Sequence, residues 1–259
     1  MLRTVRAIRY VEPLREGGSL PAIVEADDDG TYVLKFRDAG QGPKALVAEL
    51  VAGEIGRALG LPVPEIVLAE LDPALARSEP DHEIQALLQA SAGLNLAIDF
   101  LPGSLGFDPL ASPRPDPALA SSVVWFDAYV TNVDRTPRNP NILVWHRRLY
   151  LIDHGAALYY HHRATDYLAR SRDPFALVKD HVLLCQASQL ASADGELRPR
   201  LAAELLREIL AAVPDAWLGG DGAADAEARR AAYVAYLVAR LGASQVFVEE
   251  AERARAALL

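Results

Sequence analysis

With 259 residues, a formal charge of −9 and a sequence pI near 5.2, the chain can bury a substantial core and is too acidic for general binding to nucleic acid or anionic membranes. A single cysteine, Cys185, excludes an internal disulfide and fits a reducing compartment, where it reads as a small buried apolar residue. Arg3, Arg6 and Arg9 leave no apolar core for a signal peptide, and no run approaches the ~18 apolar residues of a membrane span, so the expectation is a cytoplasmic protein with no membrane partner.

Residues 3–11 alternate charged and apolar types, as an opening strand does. Gly17, Gly18 and Ser19 follow in a loop before a strand at 22–26, which Asp27-Asp-Asp-Gly30 turns into a strand at 31–36. Backbone N–H groups of such a loop can approach phosphate oxygens, although most loops of this composition are only loops. Alternation in the next strand puts Val33 and Lys35 on one face and Tyr32 and Leu34 on the other. Lys35 therefore points to solvent or into a cleft beneath the strands, where it could hold phosphates.

Residues 45–59 carry a helical stripe of Leu46, Val47, Leu50, Val51, Ile55 and Leu59, ended by Gly60 and Pro62. A carboxylate in an apolar face needs a cation, so Lys35 is a candidate partner for Glu49 or Glu54. The pattern alone favours Glu54, which falls inside the stripe. Residues 61–70 read as a strand entered through prolines, 72–93 as a linker and short helix, and 94–101 as an apolar strand broken by Pro102-Gly103. The exit of that strand, from Asp99 to Leu101, is where a nucleotide base could lie. Residues 102–117 form a surface loop and 117–131 a helix.

The stretch 132–155, N-V-D-R-T-P-R-N-P-N-I-L-V-W-H-R-R-L-Y-L-I-D-H-G, places two acids and an amide where short strands begin and end. With Arg147-Arg148 as a two-residue connection, His146 pairs with Leu149, Val144 with Leu151, Ile142 with Asp153 and Asn141 with His154. Asn141 and Asp153 then meet at the open end of the hairpin, roughly 5–8 Å apart, close enough to share a divalent cation. Asp134 lies in a proline-containing loop aimed at the same end. Few oxygen ligands with room for phosphates suit Mg²⁺, so the stretch reads as a phosphate-transfer site. The plain alternative is a surface hairpin whose Asn and Asp cap turns. Because Arg-Arg lacks the Gly, Asn or Asp that tight turns want at positive φ, the register is open to a slip.

Beyond Gly155 the composition predicts helices at 174–190, 196–213, 225–241 and 244–258. Strands early and helices late describe an α+β chain. His154, His161 and His162 near Asp153, with His146 and His181 nearby in sequence, offer a rival zinc or iron hydrolase site, although their spacing matches no helical metal pair. Phosphate-loop, serine-elbow and paired C-x-x-C motifs do not occur.

Lys35 on a strand, a glutamate on the next helix, Asp134 in a loop, and Asn141 and Asp153 bracketing a hairpin stand in the order of the protein-kinase-like fold. More specifically, Asn132-Val-Asp-Arg135, Asn141-Ile-Leu-Val and Leu151-Ile-Asp-His-Gly155 resemble the catalytic loop and metal motif of HipA-type kinases, with the likeness running over about residues 15–185. The resemblance implies a two-lobe α+β protein-kinase-like fold, β-rich over 1–101 and mainly helical over 102–259. It also implies transfer of the γ-phosphate of ATP, with Mg²⁺, to a hydroxyl of a protein or small molecule. Asp134 would be the base or orienting acid, Asn141 and Asp153 the metal ligands, and Lys35 the α/β-phosphate contact. Glu49, by its distance from Gly60-Leu-Pro-Val-Pro64, would be the partner of Lys35. Gly18, Ser19, Asp99 and Leu101 would border the nucleotide, and Ser19 could be autophosphorylated. The family spacing points to Asn139, but Asn141 adjoins the strand and is the stronger candidate. Too few residues precede the 16–21 loop for the N-terminal subdomain of the HipA toxins. A rival within the same fold is a nucleotide-binding module without transfer activity, a pseudokinase.

Overall fold

The computed structural model describes residues 2–14, 20–40, 42–110, 113–163, 168–219 and 222–258. Strands β1 (Thr4–Pro13), β2 (Ala22–Ala26), β3 (Thr31–Lys35), β4 (Ile66–Leu71) and β5 (Gly93–Asp99) close into a barrel in the order β1-β2-β3-β5-β4. Closure comes from a parallel pairing of β1 with β4, which leaves none of the five with an open edge. Strand alternation fills the barrel with Val5, Val24, Tyr32, Leu34 and Ala97. The same alternation turns Lys35 and Val33 outward, opposite Leu96 and Ile98 of β5. A turn at 73–78 and helix α2 (His82–Ala90) link β4 to β5, as the sequence suggested.

Helix α1 (Pro43–Ala58) lays Leu50, Val51 and Ile55 against Ile66, Leu96 and Ile98 on the outer barrel face. It stops because Gly60 takes φ 79°, a left-handed conformation that glycine adopts without strain. There the Leu61 N–H donates to Gly56 O and the Gly60 N–H to Arg57 O, both at 2.9 Å, the paired bonds of a Schellman stop.

A small sheet follows, with β6 (Leu105–Gly106), β7 (Ile142–Trp145) and β8 (Arg148–Leu151) in that order. The 102–117 loop therefore contains a strand, because the Phe107 N–H donates to Ile142 O and Trp145 Nε1 to Pro102 O, each at 2.9 Å. The hairpin register also differs from expectation. Trp145 pairs with Arg148 and Ile142 with Leu151, so His146 and Arg147 form the turn. Both adopt positive φ, 46° and 65°, as a primed two-residue turn requires of its central pair. Glycine tolerates that conformation better than arginine, so Arg147→Gly should stabilise the fold by up to ~1 kcal/mol, readable as a higher urea midpoint.

Helix α3 (Pro117–Val130) starts at Asp116, whose side chain accepts the Leu119 N–H at 2.8 Å, and is buried among the later helices. After it come α4 (Tyr159–Arg163), α5 (Leu190–Leu197), α6 (Ala203–Ala211), α7 (Asp215–Leu218), α8 (Ala223–Gly242) and α9 (Ser244–Ala256); α5, α8 and α9 pack on α3, and α6 and α7 on α1 and α8. The helix expected at 174–190 is instead two short turns, 176–180 and 184–186. His181 sits between them in an extended conformation, its ring fixed by Asp127 and by the Leu183 N–H, so tertiary contact overrides helix propensity. The helix expected at 196–213 is likewise split around Pro199. Cys185, expected to be buried, is exposed.

Candidate active site

The outward face of β3 delivers Lys35 into a cleft of about 990 Å³ between the barrel and the small sheet. Its Nζ donates to Glu49 Oε2 at 2.6 Å and to Asp153 Oδ1 at 2.7 Å, tying together β3, α1 and the segment after β8. Glu54, favoured by the helical pattern, lies 3.5 Å from Arg57 instead. The reason is geometric: Glu49 projects toward Lys35 and the 153–155 segment, and its full burial is sustained by the ammonium of Lys35. Burial alone would push the Glu49 carboxyl up, but Lys35, helped by His154, wins and holds it below the usual carboxylate range. The same pairing raises Lys35 above an ordinary lysine despite its burial.

Across the cleft, the loop after α3 begins at Thr131, which ends the helix in the left-handed region. Asp134 Oδ2 accepts from Asn139 Nδ2 at 2.8 Å and from Asn141 Nδ2 at 3.3 Å, so both candidate amides meet the same carboxylate. Asn141 Nδ2 also donates to Asp134 O at 3.1 Å. Two acceptors around that nitrogen fix the orientation of the amide and leave its oxygen without a protein donor among the described residues. Backbone register settles where Asn141 stands: the Ile152 N–H donates to Asn141 O at 3.0 Å, one residue before Asp153. Asn141 and Asp153 both hold positive φ, 48° and 54°, which Asn and Asp tolerate better than most residues. Burial, with a further contribution from Asp153, raises the Asp134 carboxyl above an ordinary aspartate although two amides donate to it.

Behind this loop is a buried network that the sequence reading missed. Asp127, on the last turn of α3 and fully buried, accepts from Arg135 Nε at 2.5 Å, Asn132 Nδ2 at 2.9 Å and His181 Nε2 at 2.9 Å. His181 Nδ1 accepts the Leu183 N–H, so the proton on its ring is on Nε2 and is donated to Asp127. Arg135 Nη1 in turn donates to the carbonyls of Asn141 and Ile152, clamping both strands of the hairpin where Asn141 and Asp153 leave it. The signal was available: Asp127 interrupts an apolar helical run, and a buried acid demands a cation.

Asp99 and Leu101 both line the cleft, the first exposed and the second buried, at the exit of β5. Gly18 and Ser19 lie outside the described residues. The histidines expected as a rival metal centre disperse. His161 bonds Tyr233 and His162, His181 bonds Asp127, and His146 forms the hairpin turn. Among the described residues no group of three or more His, Cys, Asp or Glu could hold a metal.

Residues 7–245 match the family of HipA-like kinases. The chain belongs to the HipA-like kinase family. Its fold is the α+β kinase-like one: the structure of the Helicobacter pylori proinflammatory kinase CtkA superposes with a TM-score of 0.56 at 14% identity, covering 100% of this chain and 99% of that one. The Golgi casein kinase with Mn/ADP bound gives 0.54 at 13% identity, covering 98% of this chain and 75% of that one. A second Golgi casein kinase structure gives 0.53 at 12% identity, covering 96% of this chain and 73% of that one. No curated protein matches in sequence.

Proposed function

We propose that this HipA-like kinase chain is an ATP- and Mg²⁺-dependent phosphotransferase that moves the γ-phosphoryl group to a hydroxyl of a protein or small molecule. The observation that carries the proposal is that Lys35, held by buried Glu49, meets Asp153 at the cleft that Asn139 and Asn141 also line, both bonded to Asp134. The barrel with α1, over 1–101, and the helical remainder, over 102–259, are read as the two lobes bordering that cleft. Lys35 would hold the nucleotide phosphates and Glu49 would keep it aimed. Asp99 and Leu101 would border the base, and Gly18 and Ser19 remain candidates for the phosphate loop. We further propose a cytoplasmic setting with ATP and the acceptor as partners and no nucleic-acid or membrane partner.

The donor set fits a hard divalent cation: the free amide oxygen of Asn141 and the carboxylate of Asp153 would hold it, with phosphates completing its shell. Bound there, such a cation neutralises charge on the transferring phosphoryl group. The similarity to the Golgi casein kinase, whose structure holds Mn and ADP, supports nucleotide and divalent-cation use.

Asp134 would accept the proton of the acceptor hydroxyl. A protonated carboxyl cannot, so transfer rises with pH through the Asp134 pKa. Because that pKa is raised, the acid limb of kcat/KM should lie above the ordinary aspartate range. Asp134→Asn should slow transfer by about 10²–10⁴-fold while leaving nucleotide affinity near wild type. Mass spectrometry of the wild type after incubation with ATP and Mg²⁺ separates the enzyme from a silent nucleotide-binding module. Nucleotide binding with no phosphate on the protein or on any offered hydroxyl would favour the latter.

A further inference from the structure

His154 follows Asp153 and is 1% exposed, edge-on to Phe126 with ring centroids 5.7 Å apart. Packing alone would be met by phenylalanine in that slot, so the imidazole nitrogens call for a reason. Nδ1 lies 3.6 Å from Glu49 Oε1, and among the described residues neither that oxygen nor His154 Nε2 has a hydrogen-bond partner. A displacement of about 0.7 Å would bring Nδ1 and Oε1 to an ordinary bond length of about 2.9 Å.

The need for that bond follows from how Lys35 is shared. Its ammonium serves Glu49 Oε2 and Asp153 Oδ1 together. If phosphates draw on Lys35 and a cation draws on Asp153, Glu49 keeps only part of its compensation while remaining fully buried. A second donor at Oε1 would then hold the carboxylate in place. We infer that His154 is a positioning residue, donating Nδ1–H to Glu49 Oε1 and so keeping Glu49 aimed at Lys35 as the Lys35–Asp153 pair opens. The inference rests on the phosphotransferase reading, and it assigns His154 the Nδ1–H tautomer.

Nitrogen-15 NMR of histidine-labelled protein reads that tautomer without nucleotide. The expected result is a proton on Nδ1 of His154 whose signal shifts in Glu49→Gln. The functional arm uses His154→Phe, which keeps the ring and its packing on Phe126, and His154→Asn, whose amide restores a donor near Nδ1. His154→Phe should raise the KM for ATP about tenfold or more, as loss of a hydrogen bond to a charged group does, with a smaller fall in kcat. His154→Asn should recover part of that loss, and His154→Phe should add nothing in the Glu49→Gln background. An Nε2–H tautomer, or wild-type KM in folded His154→Phe, overturns the inference. Should His154→Phe fail to fold, the wild-type tautomer and the His154→Asn kinetics decide. A wild type that binds no nucleotide sinks the phosphotransferase reading instead, and the tautomer still decides whether the His154–Glu49 contact exists.

Discussion

Asp153→Asn is expected to yield a stably folded protein whose phosphate transfer is slower by about 10²–10³-fold or more. Asparagine keeps the shape of the side chain and tolerates φ 54° about as well as aspartate, so the backbone that leaves β8 should not move. What disappears is the charge. In this structure that charge faces Lys35 Nζ at 2.7 Å, from a carboxylate side chain 47% exposed to a lysine side chain 13% exposed, and a pair with one partner open to solvent contributes about 1 kcal/mol. Lys35 retains Glu49, so the melting temperature should change by only a few degrees. Loss of transfer should therefore come without loss of fold. Radiolabelled ATP with any hydroxyl acceptor, or with the protein itself, measures the first and thermal unfolding the second. Wild-type transfer by the purified variant would remove Asp153 from the proposed metal site and take the cation assignment with it.

The order Lys35, helical glutamate, Asp134, Asn141, Asp153 was legible because each residue violates its local pattern: a lysine within an apolar strand, acids and amides at strand ends. The α+β character was equally legible, from alternating runs early and helix formers late. The choice between Glu49 and Glu54 was not, because a helical wheel knows only one apolar face. Helix α1 is packed on two sides, by the barrel and by α6 and α7, so burial extends round it beyond one stripe, and Glu49 is buried with Lys35 as its partner. The hairpin slipped by two residues for a related reason. Composition pointed to Arg147-Arg148, whereas pairing of Trp145 with Arg148 obliges His146 and Arg147 to accept positive φ. Helix formers at 174–190 misled because the demand of Asp127 for the His181 ring is a tertiary fact, invisible to local propensity.

Asp127→Ala should be the more damaging change to stability, although Asp127 contacts neither Lys35 nor Asp153. It would leave the Arg135 guanidinium, 1% exposed, without its counter-charge, and breaking a buried pair from one side costs about 3–5 kcal/mol. Function should fall too, since Arg135 holds the carbonyls of Asn141 and Ile152 and hence the spacing of the two proposed metal ligands. Burial by itself would raise the Asp127 carboxyl, but Arg135 and then His181 hold it below the usual carboxylate range. A carboxyl depressed in the folded state contributes stability that is present above its unfolded pKa of about 3.9 and lost as pH falls toward the lower folded value. Wild-type stability should thus drop as pH falls below about 4, and the Asp127→Ala curve should be flatter over that range. Urea unfolding at several pH values measures both curves. A loss under about 1 kcal/mol at neutral pH would mean that Arg135 finds other compensation, and that the clamp on the hairpin does not depend on Asp127.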